Sequence, residues 1–289
     1  MSANKKILIL GSTGLIGHQV YNFLKQSTMY DLSNIAYRKK LTDDSILLDA
    51  RDEKKVYETI EAIAPDCIVN CIGILIKGSN RDPKSAIYIN AYFPHTLMHI
   101  ADSMGAKMIH ISTDCVFSGA KGQYVENDFK DGRDIYAKTK GLGEIVTGRH
   151  LTLRTSVVGP ELKPDGEELF HWFMSQSGTI SGYSKSIWSG VTTIELARAV
   201  KWSIENDITG LYHVTNGIPI SKFDLLELFK KETKKNIAIN KVDGPHIDKS
   251  FVDTRKEMNY TIPTYEIMIK EMVDLIRNNK SLYAQYDAQ

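Results

Sequence analysis

A tyrosine and a lysine stand four residues apart in the stretch Asp134-Ile-Tyr-Ala-Lys-Thr-Lys140, which follows a polar loop and is typical of the start of a helix. Residues i and i+4 of a helix share one face, so Tyr136 and Lys140 can point into the same space. A cation beside a phenol favours the phenolate and lowers its pKa. The spacing alone also fits a surface tyrosine beside a solvated lysine, so the rest of the chain must decide between the two interpretations.

A glycine-rich loop follows the first predicted strand, Ile7 to Leu10, and leads into a predicted helix. Its pattern, G-x-x-G-x-x-G, is a variant of the dinucleotide-binding fingerprint, in which glycines allow a tight turn and a close approach to a pyrophosphate. The N-terminus of the helix offers free N–H groups to the phosphates. The predicted cofactor-binding residues of this loop are Gly11, Ser12, Thr13, Gly14, Leu15, Ile16 and Gly17.

The turn after the second predicted strand indicates which dinucleotide is bound. Folds that select NAD usually place an acidic residue there, but this chain has Tyr37-Arg-Lys-Lys40. We therefore predict that Arg38, with Lys39, binds a 2′-phosphate and that the cofactor is NADPH, with NADH possible. A solvated basic turn is the alternative. At the ends of the next two strands, the predicted cofactor-binding residues are Asp49, Ala50, Cys71, Ile72 and Gly73.

The elements that must position these residues alternate between apolar strands and amphipathic helices. The predicted strands are 7–10, 34–37, 46–48, 67–72, 107–112 and 151–154, and the predicted helices are 14–26, 52–64, 85–104 and 134–148. Such alternation is typical of right-handed βαβ units. We predict an α/β fold, a Rossmann-type doubly wound parallel sheet with a smaller C-terminal substrate-binding region.

The regular alternation ends near residue 158, where prolines and glycines divide the chain into shorter pieces. Helical patterns return at 193–205, 221–234 and 264–278, and Ser221 with Asp224 resembles an N-terminal cap. We predict an NAD(P)-binding region over 1–158 and a substrate-binding region over 159–289. The two are expected to pack closely, with some strands and helices of the second returning to the first.

Composition limits the kind of partner. The chain of 289 residues has a formal net charge of +1, which gives no electrostatic reason to expect nucleic acid or an acidic membrane surface. Three cysteines cannot form a disulfide framework, and no metal site is expected from their spacing. The N-terminal segment MSANKK and the short apolar run after it are too short for a signal peptide or a membrane span, so we expect a cytoplasmic protein.

Five motifs occur in a characteristic order: GSTGLIG, NCIG, HISTDCVFSG, IYAKTKGLGE and LRTSVVGPE. Together they resemble the extended short-chain dehydrogenases/reductases, and within them the dTDP-4-dehydrorhamnose reductase-like group of sugar-nucleotide reductases. The resemblance implies that Tyr136 is a general acid, that Lys140 binds the nicotinamide ribose, and that Thr113 bonds the same substrate oxygen as Tyr136. It further implies NADPH-dependent reduction of the C4 keto group of a nucleotide-linked 4-keto-6-deoxy-hexose, for cell-surface polysaccharide synthesis.

Two departures from this group leave the substrate open. Cys115 stands where the rhamnose-forming enzymes have a tyrosine, in the pattern STDYVF. Val157 stands where they tend to carry a tryptophan. The nucleotide could therefore be UDP and not dTDP, with an N-acetylated sugar. The candidate substrate contacts are Val116, Phe117, Ser118, Arg154, Trp188 and Thr192. For Trp188, stacking on a ligand and plain packing are equally compatible with the sequence.

Two other functions fit the same resemblance. One is a nucleotide-sugar epimerase, which tends to retain bound NAD and which Arg38 disfavours. The other is a non-catalytic NADP-binding regulatory subunit, which has no need of Thr113, Tyr136 and Lys140. By analogy with the superfamily, a homodimer is possible through the predicted helices 85–104 and 134–148.

Overall fold

A computed structural model describes residues 4–286 of the chain. Its strands are β1 (Lys6–Leu10), β2 (Asp31–Ala36), β3 (Ile46–Leu47), β4 (Cys67–Asn70), β5 (Lys107–Thr113), β6 (Leu151–Thr155), β7 (Val157–Val158), β8 (Thr179–Tyr183), β9 (Ser186–Trp188), β10 (Val191–Thr192), β11 (Gly210–His213), β12 (Ile220–Ser221), β13 (Ala238–Val242) and β14 (Ile247–Asp248). Its α-helices are α1 (Gly17–Ser27), α2 (Glu53–Ile63), α3 (Ile76–Arg81), α4 (Pro83–Ala86), α5 (Phe93–Ser103), α6 (Ile135–Leu142), α7 (Leu169–Ser175), α8 (Thr193–Glu205), α9 (Lys222–Thr233) and α10 (Tyr265–Asn278).

A seven-stranded sheet forms the centre of the fold, in the order β11-β6-β5-β4-β1-β2-β3. All of its neighbouring strands are parallel. The strands are apolar runs because helices cover both faces of such a sheet, and Ile7 to Leu10 of β1 are completely buried. The strand order reverses between β1 and β4, which is where doubly wound folds bind their ligands. The predicted α/β Rossmann-type fold is confirmed.

Some predicted boundaries differ from the observed ones. The helix predicted over 14–26 begins at Gly17, since residues 11–16 form the loop before it. The helix predicted over 85–104 contains a π-helical turn, Ile87–Tyr92, between α4 and α5. The helix predicted over 134–148 ends at Leu142. There the backbone of Gly143 lies so close to Asn90 that an added Cβ would be 2.0 Å from the Asn90 carbonyl oxygen.

The second half of the chain completes the central sheet and adds smaller ones. The edge strand β11, which was not predicted, pairs with β6, and α8 packs against α1. Strands β8 and β13 form one small sheet, β9, β12 and β14 another, and β7 pairs with β10. The cap predicted at Ser221 is present, because its hydroxyl accepts a hydrogen bond from the Asp224 amide at 3.0 Å.

One apolar core runs through both halves: Val20 and Leu24 of α1 belong to the same buried cluster as Leu196 of α8 and Met272 of α10. The division into 1–158 and 159–289 stays a prediction. Residues 1–3, which belong to the MSANKK segment, and residues 287–289 lie outside the described residues. Within 4–286, no helix is long and apolar enough to cross a membrane. Across the same residues, no group of three or more His, Cys, Asp or Glu side chains is placed to hold a metal ion.

Candidate active site

Helix α6 presents its chemistry toward the protein interior. It begins with Asp134 as N-cap, whose carboxylate accepts a hydrogen bond from the Ala137 amide at 2.7 Å. Tyr136 and Lys140 lie on the buried face of this helix and are only 9% and 4% exposed. The alternative interpretation, a surface tyrosine beside a solvated lysine, is therefore wrong.

Strand β5 brings a hydroxyl group to the same place. Thr113 is the last residue of β5, and its side chain interacts with the phenol of Tyr136. The Thr113 hydroxyl also donates to an Asp114 carboxylate oxygen at 3.1 Å and accepts from the Cys115 amide at 3.1 Å. The side chains of Thr113 and Tyr136 thus meet at the carboxyl end of the sheet.

Burial raises the pKa of the Tyr136 phenol well above its ordinary value, and negative charge at Cys115 and Asp114 adds to the rise. The hydrogen bond with Thr113 acts in the opposite direction. The predicted lowering of this pKa by Lys140 is wrong for the protein alone, because removing the phenol from water dominates and raises the pKa. Tyr136 is therefore protonated at neutral pH.

Lys140 makes its contacts within the protein. Its ammonium nitrogen donates to the Ile111 carbonyl oxygen at 2.7 Å and lies 3.3 Å from Nε2 of His110. Burial lowers the pKa of Lys140 to about 8, although the negative charge of Glu144 acts to raise it. Its protonation is therefore poised near neutral pH.

The glycine loop is shaped for close contact. Gly11 has a φ of +78°, and a Cβ on Gly17 would lie 2.2 Å from the Gly11 carbonyl oxygen, so a side chain there would disrupt the turn. The first turn of α1 has no side-chain cap and no acidic residue among the described residues. Its free N–H groups fit a pyrophosphate. The hydroxyl of Ser12 is buried and donates its proton to the Asn34 side-chain oxygen at 2.8 Å.

The other end of the predicted cofactor site carries two arginines. The exposed Arg38 guanidinium stacks over the Tyr37 ring at 4.8 Å, and Arg51 donates to the Tyr37 hydroxyl at 3.1 Å. Sequence reasoning missed Arg51, because only the fold brings the start of α2 beside the end of β2. Asp49 forms an ion pair with Arg51 at 2.7 Å, so its carboxylate is already engaged. Lys39 and Gly73 are exposed, while Ala50, Cys71 and Ile72 are half-buried.

The predicted substrate contacts stay a prediction, and most of their side chains are buried. Five of their side chains are at most 5% exposed: Val116, Phe117, Arg154, Trp188 and Thr192. Phe117 stacks on Tyr124 with ring centroids 4.1 Å apart, and Trp188 packs on Tyr265 at 5.7 Å. Burying large apolar side chains stabilises the fold, so packing accounts for the positions of Phe117 and Trp188 without a ligand. Thr192 is the N-cap of α8, and Ser118 bonds Asp131, which gives both polar side chains local structural roles.

Arg154 lies in a buried ionic network and not in an open pocket. It binds the Glu144 carboxylate at 2.7 and 2.6 Å, and it donates to Nε2 of His213 at 2.9 Å. Burial alone would raise the pKa of Glu144, but Arg154 and Lys130 hold it below its ordinary value. The arginine thus neutralises a buried acid beneath the site.

Lys249 was also missed by sequence reasoning. It follows β14 in the C-terminal part, yet its amine hydrogen bonds to Cys115 and lies near the carboxylate of Asp114. Burial acts to lower the pKa of Lys249, but the negative charges of Cys115 and Asp114 raise it above its ordinary value. A cation thus stands next to the Thr113 side of the site, and only the tertiary fold reveals it.

Comparisons with known proteins show which family the sequence matches and which solved structures share the fold. The model of the RmlD substrate binding domain family matches residues 5–253. The dTDP-4-dehydrorhamnose reductase of Escherichia coli K12 is 27% identical, over 93% of this chain and 97% of its own. The crystal structure of the Bacillus anthracis dTDP-4-dehydrorhamnose reductase in complex with NADP superposes with a TM-score of 0.82 at 21% identity, covering 94% of this chain and 100% of that one. Methionine adenosyltransferase 2 subunit beta of mouse is 30% identical, but over only 49% of this chain and 42% of its own.

Proposed function

The chain belongs to the RmlD substrate binding domain family, and on that premise we propose that it is an NADPH-dependent sugar-nucleotide reductase. Its substrate would be a nucleotide-linked 4-keto-6-deoxy-hexose, reduced at C4 for cell-surface polysaccharide synthesis. One observation carries the proposal: Thr113 and Tyr136 converge at the carboxyl end of the sheet, with Lys140 on the same helix face as Tyr136. The reductase relatives agree with the function predicted from the motifs.

The protein's own groups suit proton delivery to a carbonyl oxygen. NADPH, when bound, supplies the hydride. Tyr136, whose pKa is raised by burial, holds a proton that it can give to the substrate oxygen as that oxygen gains negative charge. The Thr113 hydroxyl would hydrogen bond to the same oxygen and orient it. Lys140 would bind the nicotinamide ribose and so keep the cofactor in place.

The cofactor site favours NADPH over NAD. Arg38 and Arg51 flank Tyr37 at the end of β2, where a 2′-phosphate would find two guanidinium groups. The carboxylate of Asp49, at the end of the next strand, is held in an ion pair with Arg51. This arrangement speaks against an epimerase that retains NAD. The match to the regulatory subunit covers less than half of the chain, whereas the match to the reductase covers nearly all of it.

The identity of the sugar and of the base stays open between UDP and dTDP. Val157 and Cys115 are both half-buried, so both can line the site where the group's tryptophan and tyrosine would stand. A smaller valine would leave room for an N-acetyl group, which is why we retain the UDP-linked, N-acetylated sugar as a candidate. The cytoplasmic location also remains a prediction.

A homodimer is the second part of the proposal that concerns partners. The two chain segments predicted to form its interface carry exposed apolar side chains, namely Ile87, Tyr92, Leu142 and Val146. Clustered apolar surface of this kind is typical of association sites. Sedimentation equilibrium of the purified protein tests this part: a monomer at all concentrations would exclude it.

Binding and turnover together test the proposed reductase. NADPH, NADH, UDP and dTDP are titrated separately by calorimetry, and NADPH oxidation is then followed with UDP- and dTDP-linked 4-keto-6-deoxy sugars. We expect tighter binding of NADPH than of NADH, and oxidation that depends on one of the sugars. NAD retained through purification would instead support the epimerase. Cofactor binding without turnover of any keto sugar would support the regulatory subunit.

A further inference from the structure

Three buried side chains from three different elements form a continuous chain behind Tyr136. Asn70 ends β4, His110 lies in β5 and Lys140 lies in α6. The amide nitrogen of Asn70 is 3.1 Å from Nδ1 of His110, and Nε2 of the same ring is 3.3 Å from the amine of Lys140. Asn70 and His110 are completely buried, so every proton in this chain must find a partner within it.

The direction of the Asn70 amide is set by the backbone. The Ile72 N–H donates to the Asn70 side-chain oxygen at 3.1 Å, which turns the NH₂ group toward His110. Nδ1 of His110 must therefore accept a hydrogen bond. Burial, with Lys140 and His95 nearby, holds the pKa of His110 well below its ordinary value, so the ring is neutral. A neutral ring that accepts at Nδ1 carries its proton on Nε2.

That proton points at Lys140, which already donates to the Ile111 carbonyl oxygen. A neutral amine has a lone pair that can accept the Nε2–H of His110, whereas an ammonium group has only donors. If Lys140 gains a proton, the His110 proton must move to Nδ1, where it faces the NH₂ group of Asn70. Rotating the Asn70 amide would let its oxygen accept from Nδ1–H, but its NH₂ group would then face the Ile72 N–H, another donor. Every arrangement with a charged Lys140 therefore leaves two donors facing each other.

We propose that Asn70 and His110 are positioning residues that couple the charge of Lys140 to the tautomer of His110: a neutral Lys140 pairs with the Nε2–H ring, and protonation of Lys140 drives the ring to its Nδ1–H form. The other titratable groups that face Lys140 are Glu144, whose carboxylate favours the charged amine, and Cys71, whose buried thiol is uncharged when Lys140 titrates. The balance between burial and the charge of Glu144 leaves the amine able to change its own charge. The consequence for turnover rests on the proposed function, but the coupling itself does not.

Ring ¹⁵N chemical shifts of the full-length protein test the coupling without any substrate. Two other buried rings serve as internal references. His150 accepts the Met108 N–H at Nδ1 and must carry its proton on Nε2, while His213 accepts from Arg154 at Nε2 and donates from Nδ1 to the Val252 carbonyl. Single His→Gln variants assign the signals.

We expect His110 to be the Nε2–H tautomer at about pH 9.5, above the pKa of about 8 for Lys140. As the pH falls through that value, the proton should move to Nδ1 while the ring stays neutral. An Nδ1–H ring at high pH, or a ring that gains a second proton as the pH falls, would overturn the proposal. This titration needs no variant beyond those used for assignment.

Asn70→Asp provides the converse test. A carboxylate keeps the bond to the Ile72 N–H but accepts from Nδ1, so His110 should be the Nδ1–H tautomer even at about pH 9.5. Asn34→Asp is the matched control, because Asn34 is also buried at the same sheet but does not contact His110. An unchanged tautomer in Asn70→Asp, or the same change in Asn34→Asp, would contradict the coupling. If Asn70→Asp does not fold, the wild-type titration decides alone.

Discussion

The two halves of the site are built in different ways. In the nucleotide half, the predicted site residues lie in the glycine loop and at the ends of β4 and β5. Each group of residues belongs to one short motif that spans a strand and the turn after it. In the substrate half, the side chains chosen from sequence are buried, and the charge that does approach the site comes from Lys249, more than 130 residues after Thr113 in the chain. Functional residues within one βα unit can therefore be predicted from sequence, whereas a pocket assembled from distant segments cannot.

The largest expected effect would test the nucleotide half. Tyr136→Phe removes the proton donor but keeps the ring, so the rate of NADPH oxidation should fall by about 10²- to 10⁴-fold. The Kd for NADPH should change little, because the phenol group does not bind the phosphates. Stopped-flow turnover and calorimetric titration measure the two quantities. Near-normal turnover in this variant would remove Tyr136 from the proposed role, and Tyr21→Phe, buried in α1, controls for loss of a hydroxyl elsewhere.

Arg154 separates a structural residue from a substrate contact. Arg154→Met would leave the carboxylate of Glu144 buried without its two hydrogen bonds from the guanidinium. We expect a loss of about 3–5 kcal/mol in the free energy of unfolding, with KM for the sugar nucleotide nearly unchanged. Urea unfolding and steady-state kinetics measure these quantities. Arg255→Met breaks a partly exposed pair with Glu257 and should cost about 1 kcal/mol or less. A large rise in KM with normal stability would restore Arg154 as a substrate contact.

Arg154 and Trp188 show why sequence reasoning reached the fold but not the whole site. Periodicity located thirteen of the main elements, six strands and seven helices, since the alternation of apolar residues depends on neighbours in the chain. Whether a polar or aromatic side chain faces a pocket or the core depends on partners far away: Glu126 and His213 for Arg154, and Tyr265 for Trp188. The short edge strand β11 was missed for the same reason, because it is four residues long and gains its stability from pairing with β6.

An effect of intermediate size is expected for NADPH binding in the nucleotide half, where the sequence predicted Arg38 but not Arg51. Arg51→Met should weaken NADPH binding by about ten- to hundredfold, because a guanidinium–phosphate hydrogen bond contributes roughly 1.5–3 kcal/mol, and should leave NADH binding almost unchanged. Arg38→Met should behave in the same way if both arginines hold the 2′-phosphate. Arg149→Met, at the opposite end of the sheet near Gly105, is the control. Equal weakening of NADPH and NADH would assign Arg51 a role in the loop and not in phosphate selection.

The smallest expected effect concerns Lys249, where the two halves meet. Lys249→Met removes a cation that bonds Cys115 and lies near Asp114, beside the proposed position of the sugar. Since the amine is partly solvated and touches none of the three predicted catalytic side chains in the described contacts, we expect KM for the sugar nucleotide to rise only about three- to tenfold, with kcat within about twofold. Lys241→Met, on the exposed strand β13, should leave both constants unchanged. A fall in kcat as large as that of Tyr136→Phe would instead mean that the C-terminal half supplies a catalytic group. The contrast between a nucleotide half that can be predicted from sequence and a substrate half that cannot would then no longer separate catalysis from substrate binding.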